Sequence, residues 1–183
     1  SLLRIVSELR LKSWSFDLIF AVPGQTMAQL RADLQAVVQA QPPHVSLYGL
    51  SIEPGTPFAD LEASGKLTLP DAEAWRTQYD TIVQTLQDHG WERYEVSNFA
   101  KPGHRGVHNE QVWRGGFYAG LGPGAHGFRP NRQRTSTEPS VASWMDGAAI
   151  TVSLPTAEEA AVDHMLSTLR HIDGTTHYGL LQA

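Results

Sequence analysis

The fold is decided by the stretch Ser15–Thr26, SFDLIFAVPGQT, in which an almost wholly apolar run ends at a Pro-Gly turn. The run Ser15–Val22 has the composition of a strand that is buried on both faces of a parallel sheet, and only Asp17 interrupts it. Thr26 and Gln29 then form a capping-box pattern. The pattern predicts that a helix begins directly after the turn.

The segments that follow repeat this order of strand and helix. The predicted helix ends at Pro42–Pro43, and HVSLYGLSI (His44–Ile52) follows as a second strand. Asp71 caps a further predicted helix that runs until Gly90, and WERYEVSNFA (Trp91–Ala100) alternates as a third strand. Because right-handed crossovers keep such strands parallel, the sequence predicts an α/β sheet or barrel.

The rest of the chain consists of three segments with different patterns. Residues 1–11 have the apolar spacing of an amphipathic helix, and Thr156–His171 is predicted as the last helix. Between Lys101 and about Pro139 the sequence is rich in loop residues. This region contains HNEQVWRGGFYAGLGPGAHG (His108–Gly127), whose glycines and aromatic residues are typical of neither a helix nor a strand.

Composition narrows the function classes. With 183 residues and 41% hydrophobic content, the chain can bury one sizeable core. The 14 Lys and Arg residues against 19 Asp and Glu residues, with no basic run, argue against nucleic acid as a partner. No apolar run approaches the roughly 20 residues of a membrane span and no signal peptide is evident, so a cytoplasmic protein is expected. The absence of cysteine excludes disulfides and thiolate metal sites in this chain.

Several polar residues are candidates for chemistry, since such folds place their sites at the carboxyl ends of strands. Asp17 is either a buried structural carboxylate or an acceptor for ligand hydroxyl groups. Ser51 and Glu53, at the end of the second strand, have the same two interpretations. His108 and His126 are too far apart in the sequence for a metal-binding spacing.

Five blocks of the sequence resemble, in order, the radical S-adenosylmethionine haem chaperones called HemW. That family is similar to the oxygen-independent coproporphyrinogen III oxidases. The blocks run from about Ser15 to the C-terminus and read SFDLIFAVPGQT, PPHVSLYGLSIEPGTPF, GWERYEVSNFAKPGHRGVHN, VWRGGFYAGLGPGAHG and LPTAEEAAVDHMLSTLR. The resemblance implies a partial β/α barrel with S-adenosylmethionine at the carboxyl ends of its strands, beside a [4Fe–4S] cluster.

The resemblance also implies which part of the family's architecture the chain represents. Thiolates hold the cluster in the family, and this chain has no cysteine. We therefore expect the later strands of the barrel at residues 1–128 and, at residues 129–183, a linker and the start of a helical C-terminal domain. The missing N-terminal half of the barrel would be a partner of this part. A divergent paralogue without a cluster is the alternative, but half a barrel would leave apolar sheet edges to cover.

Candidate ligand contacts follow from the same resemblance. Asp17 matches the family's strand aspartate in the S-adenosylmethionine site. Ser51 and His126 match positions whose backbone lies near the nucleoside.

A haem-associated motif of the family, HNxxYW, is present here as HNEQVW. It retains His108, Asn109 and Trp113, whereas Val112 replaces the aromatic residue. The resemblance therefore implies that His108 is a possible axial ligand of haem iron and that Trp113 offers a flat surface to a porphyrin.

Three functions stay open at the level of sequence. A haem chaperone would bind haem or another porphyrin and pass haem to an acceptor protein. An oxidase would instead decarboxylate coproporphyrinogen III, and a truncated remnant would be inactive. The PGHRGVHN and WRGG segments favour the chaperone, because the oxidases resemble these blocks less.

Overall fold

A computed structural model describes residues 6, 8, 9 and 11–174 of the chain. It divides into two compact units, Ser1–Arg105 and Gly106–Ala183. The helix predicted at residues 1–11 lies largely outside the described residues. The domain boundary predicted after residue 128 rests on the domains of the family, whereas the two units are defined by their internal contacts. The predicted boundary therefore stays a prediction.

The first unit is a four-stranded sheet with three helices, and its strand order is β1-β2-β4-β3. The strands are β1 (Ser15–Phe20), β2 (His44–Gly49), β3 (Glu92–Arg93) and β4 (Asn98–Ala100). The helices are α1 (Met27–Ala40), α2 (Pro57–Ala63) and α3 (Ala72–Asp88).

The predicted βαβ unit is confirmed. Strands β1 and β2 are parallel, with Ser15 opposite His44. Helix α1 connects them and begins with the predicted capping box, in which the Thr26 hydroxyl accepts a hydrogen bond from the Gln29 amide at 3.2 Å and the Gln29 side chain accepts one from the Thr26 amide at 2.8 Å. Helix α3 begins at its predicted cap, since Asp71 accepts a hydrogen bond from the Ala74 amide at 2.8 Å.

Helices α1 and α3 cover one face of this sheet and form its core. The buried side chains are Leu18, Phe20, Leu30, Leu34, Val37, Val45, Leu47, Ile82, Leu86, Trp91 and Phe99. The prediction that the first strand is buried on both faces is wrong, because Asp17 is exposed and Ile19 is 53% exposed. The helices of the described unit cover only the face to which Leu18 and Phe20 point.

The prediction of a third parallel strand at Trp91–Ala100 is wrong for the segment as a whole, because only its first part, β3, runs in the direction of β1 and β2. The segment forms β3 and β4, which pair antiparallel with each other, and β4 pairs antiparallel with β2. The chain turns back at Glu95, whose buried carboxylate accepts hydrogen bonds from the Ser97 amide at 2.7 Å and the Asn98 side-chain amide at 2.6 Å. The helical crossover therefore leads to β3, and the hairpin that follows places the antiparallel strand β4 between β3 and β2.

The second unit contains an antiparallel sheet of order β5-β6-β7 and three helices. These elements are α4 (Val107–Trp113), β5 (His126–Phe128), β6 (Arg134–Ser136), α5 (Val141–Met145), β7 (Thr151–Ser153) and α6 (Ala157–Arg170). The predicted last helix is confirmed as α6. No helix in the described part of the chain combines the length and the hydropathy of a membrane span.

Candidate functional site

Polar side chains share the uncovered face of the first unit's sheet. Alternate residues of a strand point to the same side, and Ser15 and Asp17 of β1 lie opposite His44 and Ser46 of β2. The polar sheet face, defined by these four residues, is the side of β1 and β2 opposite the helices. His44 and Ser46 are buried, so Ser15 and Asp17 are the residues of this face that a polar ligand can reach.

A chain of hydrogen bonds links the polar sheet face to the interior. The Ser15 hydroxyl lies 2.8 Å from His44 Nδ1, and His44 Nε2 lies 2.8 Å from the Tyr94 hydroxyl. The Ser15 hydroxyl also lies 3.4 Å from an Asp17 carboxylate oxygen. Both ring nitrogens of His44 therefore have partners, and the imidazole is held in one orientation.

Burial lowers the pKa of His44, against the opposing attraction of the Asp17 and Glu95 carboxylates. A neutral imidazole donates from one nitrogen and accepts at the other, which matches its two hydroxyl partners. His44 therefore orders this side of the sheet while it remains neutral.

The three candidates of the first unit, Asp17, Ser51 and Glu53, are all exposed. Asp17 lies in the middle of β1 on the polar sheet face, and Ser51 lies just beyond the end of β2. An ionised carboxylate in this position can accept several hydrogen bonds from a ligand. The exposure of Asp17 disagrees with its interpretation as a buried structural carboxylate, and its contact with a ligand stays a prediction.

The HNEQVW motif lies on helix α4, where a loop had been predicted. Five residues at about 100° each place the side chains of His108 and Trp113 about 140° apart around the helix axis. The imidazole of exposed His108 meets the Tyr118 ring edge-on at 6.0 Å, whereas the indole of Trp113 lies under the Arg170 guanidinium at 4.4 Å. The two side chains therefore do not form one continuous surface.

The glycines of this region have a structural use. Residues His126–Phe128 form β5, and Tyr118 exchanges two backbone hydrogen bonds of 2.9 Å with Phe128. A Cβ atom on Gly120 would lie 2.6 Å from the carbonyl carbon of His126, and one on Gly127 would lie 2.9 Å from the Gly120 nitrogen. Both positions therefore require glycine so that two backbone segments can pack together, and the His126 side chain is exposed.

Sequence reasoning did not find a cavity of about 650 Å³ in the second unit. Its lining comes from three separate segments, including Phe117, Phe128 and His164. A signal was present in FRPNRQR (Phe128–Arg134), which concentrates three arginines beside an aromatic residue in an acidic chain. Among the residues that the structure describes, no group of three or more side chains is arranged to hold a metal ion.

The fold of the chain resembles that of a solved structure. The chain superposes on coproporphyrinogen III oxidase (HemN) from Escherichia coli, described as a radical SAM enzyme, with a TM-score of 0.75 and 16% identity. The match covers 99% of this chain and 45% of that one. The predicted fold class, part of a radical SAM β/α fold, is confirmed.

The chain is also similar in sequence to several named proteins. The chain is 37% identical over 121 residues to the haem chaperone HemW of Bacillus subtilis and 39% identical over 124 residues to HemW of Escherichia coli, and each match covers 32% of the relative. It is 41% identical over 113 residues to a mitochondrial radical S-adenosyl methionine domain-containing protein 1 of Danio rerio, of which it covers 26%. The resemblance to HemW is thus confirmed.

The matches cover only parts of the chains compared, and they are matches to individual proteins. No protein-family model matches the chain. The chain spans about a third of the length of the curated HemW relatives, and the matches cover 66% and 68% of this chain.

Proposed function

We propose that the complete protein is a haem chaperone that binds haem and delivers it to an acceptor protein. The sequence match to proteins named haem chaperone HemW carries this proposal. The retained histidine, asparagine and tryptophan of HNEQVW support it further. The likeness to coproporphyrinogen III oxidase, at 16% identity, concerns the fold and gives no support to the oxidase reaction. A cytoplasmic location is part of this proposal.

The first unit would contribute to binding S-adenosylmethionine. Asp17 has an exposed carboxylate that can accept hydrogen bonds from ligand hydroxyl groups, and Ser51 follows the neighbouring parallel strand. In the second unit, the backbone of His126 is the further candidate for contact with the nucleoside. A [4Fe–4S] cluster does not fit the residues of this chain, because the sequence has no cysteine. Cluster ligands would have to come from elsewhere in a longer protein.

The second unit would bind the haem. His108 is the candidate axial ligand, since its imidazole is exposed on α4 and imidazole is a common ligand of haem iron. Asn109 and Trp113 are four residues apart and share another side of α4. The Arg170 guanidinium covers the Trp113 ring, so we give this pair the role of holding the helix that presents His108.

Titration with haem tests the proposal. The longest natural form of the protein should shift the Soret band of added haem, and His108→Ala should abolish most of the shift. His89→Ala is the control, because His89 is exposed and belongs to the first unit. Loss of the shift in His164→Ala, with His108→Ala unaffected, would contradict the assignment of His108.

Haem transfer distinguishes the chaperone from the oxidase. The haem-loaded protein should convert apomyoglobin to the holo form. This conversion should be faster than the conversion by the same concentration of haem bound to a nonspecific carrier such as albumin. Release of carbon dioxide from coproporphyrinogen III, without haem transfer, would instead favour the oxidase.

A further inference from the structure

The cavity of the second unit has an aromatic wall, in which the rings of Phe117 and Phe128 are tilted by 40° to each other. Phe117, Tyr118 and Phe128 line it, and the rings of Phe117 and Phe128 lie 5.6 Å apart. The backbone hydrogen bonds between Tyr118 and Phe128 fix the positions of these residues. Leu166 on helix α6 also lines the cavity and is 62% exposed. At about 650 Å³ the cavity lies within the usual range for small-molecule sites, roughly 300–1,000 Å³.

The same cavity carries an excess of positive charge. Arg114, Arg132 and Arg134 line it, but Arg114 pairs with Asp173 at 2.9 Å and Arg134 pairs with Asp163, so the uncompensated positive charge is that of Arg132. Arg134 is positioned by an ion pair with Asp163. In the part of the chain that the structure describes, no carboxylate pairs with Arg132. A bound anion can therefore pair with the Arg132 guanidinium without breaking an existing ion pair.

The Arg132 guanidinium is carried by a defined turn. The Arg132 amide donates to the Arg129 carbonyl at 2.9 Å, and the Arg129 amide donates to the Gln133 carbonyl at 2.9 Å. Arg132 itself has a left-handed backbone, with φ of 63°. The turn places an exposed arginine next to the aromatic wall.

We infer that this cavity is the seat of a porphyrin dicarboxylate, with the macrocycle against the aromatic wall and its carboxylates on Arg132 and Arg134. Arginine pairs with carboxylates through two parallel hydrogen bonds, and aromatic side chains stack on a flat apolar ring. A nucleotide would also offer anionic groups to the arginines, so competition by ATP is one outcome of the test below. The inference rests on the proposed function and adds a location that the HNEQVW motif does not give.

Iron-free protoporphyrin IX is the probe that tests the seat, because it binds without any axial ligand. Its fluorescence should report binding to the longest natural form of the protein. Arg132→Gln should weaken binding about tenfold or more, as expected when a charge-assisted hydrogen bond is lost. Arg129→Gln is the matched control, since Arg129 belongs to the same turn but does not line this cavity, and it should change affinity by less than about twofold.

Two further measurements strengthen the test. Leu166→Asp introduces a negative charge at an exposed lining position, where folding tolerates it, and should also weaken binding more than about tenfold. The dimethyl ester of protoporphyrin should bind the unmodified protein more weakly, and Arg132→Gln should cause little additional loss with this ester.

Equal weakening by Arg132→Gln and Arg129→Gln would overturn the inference, because it would indicate nonspecific charge attraction. Unchanged binding in Leu166→Asp, or displacement of the porphyrin by millimolar ATP, would also overturn it. Failure of this inference and failure of the proposed function give different results. If protoporphyrin binds in the cavity while haem shows no His108-dependent Soret shift, the assignment of His108 fails and this inference stands. If haem shows that shift while protoporphyrin does not bind in the cavity, the haem chaperone proposal stands and this inference fails.

Discussion

Gly120→Ala should destabilise the second unit through a clash that side-chain motion cannot relieve. The added methyl group would lie 2.6 Å from the carbonyl carbon and 3.0 Å from the amide nitrogen of His126. Both are backbone atoms, so β5 or the segment that carries Tyr118 has to move. Overpacking costs about 1–3 kcal/mol, and loss of one adjacent backbone hydrogen bond adds about 1 kcal/mol. We therefore expect the free energy of unfolding to fall by about 2–4 kcal/mol.

Urea titration measures the change in the free energy of unfolding. Hydrogen–deuterium exchange in the absence of urea then locates the change in the structure. Exchange should accelerate at the amides of Tyr118 and Phe128, which pair with each other's carbonyl oxygens. Gly115→Ala is the control, because a Cβ atom there meets no atom within 4 Å and the cost is limited to the backbone strain of a φ of 74°, about 1–2 kcal/mol. If Gly120→Ala costs no more than Gly115→Ala and leaves both amides protected, the packing argument is refuted.

Three other predictions concern the first unit. Tyr94→Phe removes the buried hydroxyl that lies 2.8 Å from His44 Nε2, so the free energy of unfolding should fall by about 1–3 kcal/mol in urea titrations, whereas Tyr48→Phe at an exposed position should change little. Burial lowers the pKa of His44 in the folded chain. Below about pH 6.5, His44 therefore binds a proton more readily in the unfolded chain than in the folded chain. Stability should therefore decrease from pH 7.5 to 5.5, and an equally steep decrease in His44→Asn would contradict this origin. In the longest natural form of the protein, Asp17→Asn should weaken S-adenosylmethionine binding by about 1–3 kcal/mol in calorimetry; unchanged affinity with lower stability would make Asp17 a structural residue.

The sequence predicted those elements whose signals are local. The capping box at Thr26 and the cap at Asp71 mark helix starts through side-chain hydrogen bonds that form within one turn. The parallel pairing of β1 and β2 followed from the intervening helix. The reversal at Glu95 was not predictable in the same way, because its carboxylate acts only once Ser97 and Asn98 have folded back towards it.

The candidate sites were predictable only where a motif was continuous. Asp17 could be singled out as the polar residue of an apolar strand, and its exposure follows from a face of the sheet that the helices of this unit do not cover. Helix α4 was missed because it has only seven residues and its N-cap, Gly106, has no side chain to mark the helix start. The cavity was missed because its aromatic wall, its arginines and helix α6 come from segments that are distant in the sequence.

The strand order β1-β2-β4-β3 makes the two ends of the first unit's sheet unequal. Strand β3 has two residues and offers few backbone groups, whereas β1 has six, and no described strand pairs with its outer side. The outer side of β1 is therefore the edge that presents the longer row of unpaired backbone groups to a further strand. One strand can occupy the outer side of β1 at a time, so pairing with another strand of the same chain and pairing with a second copy would exclude each other.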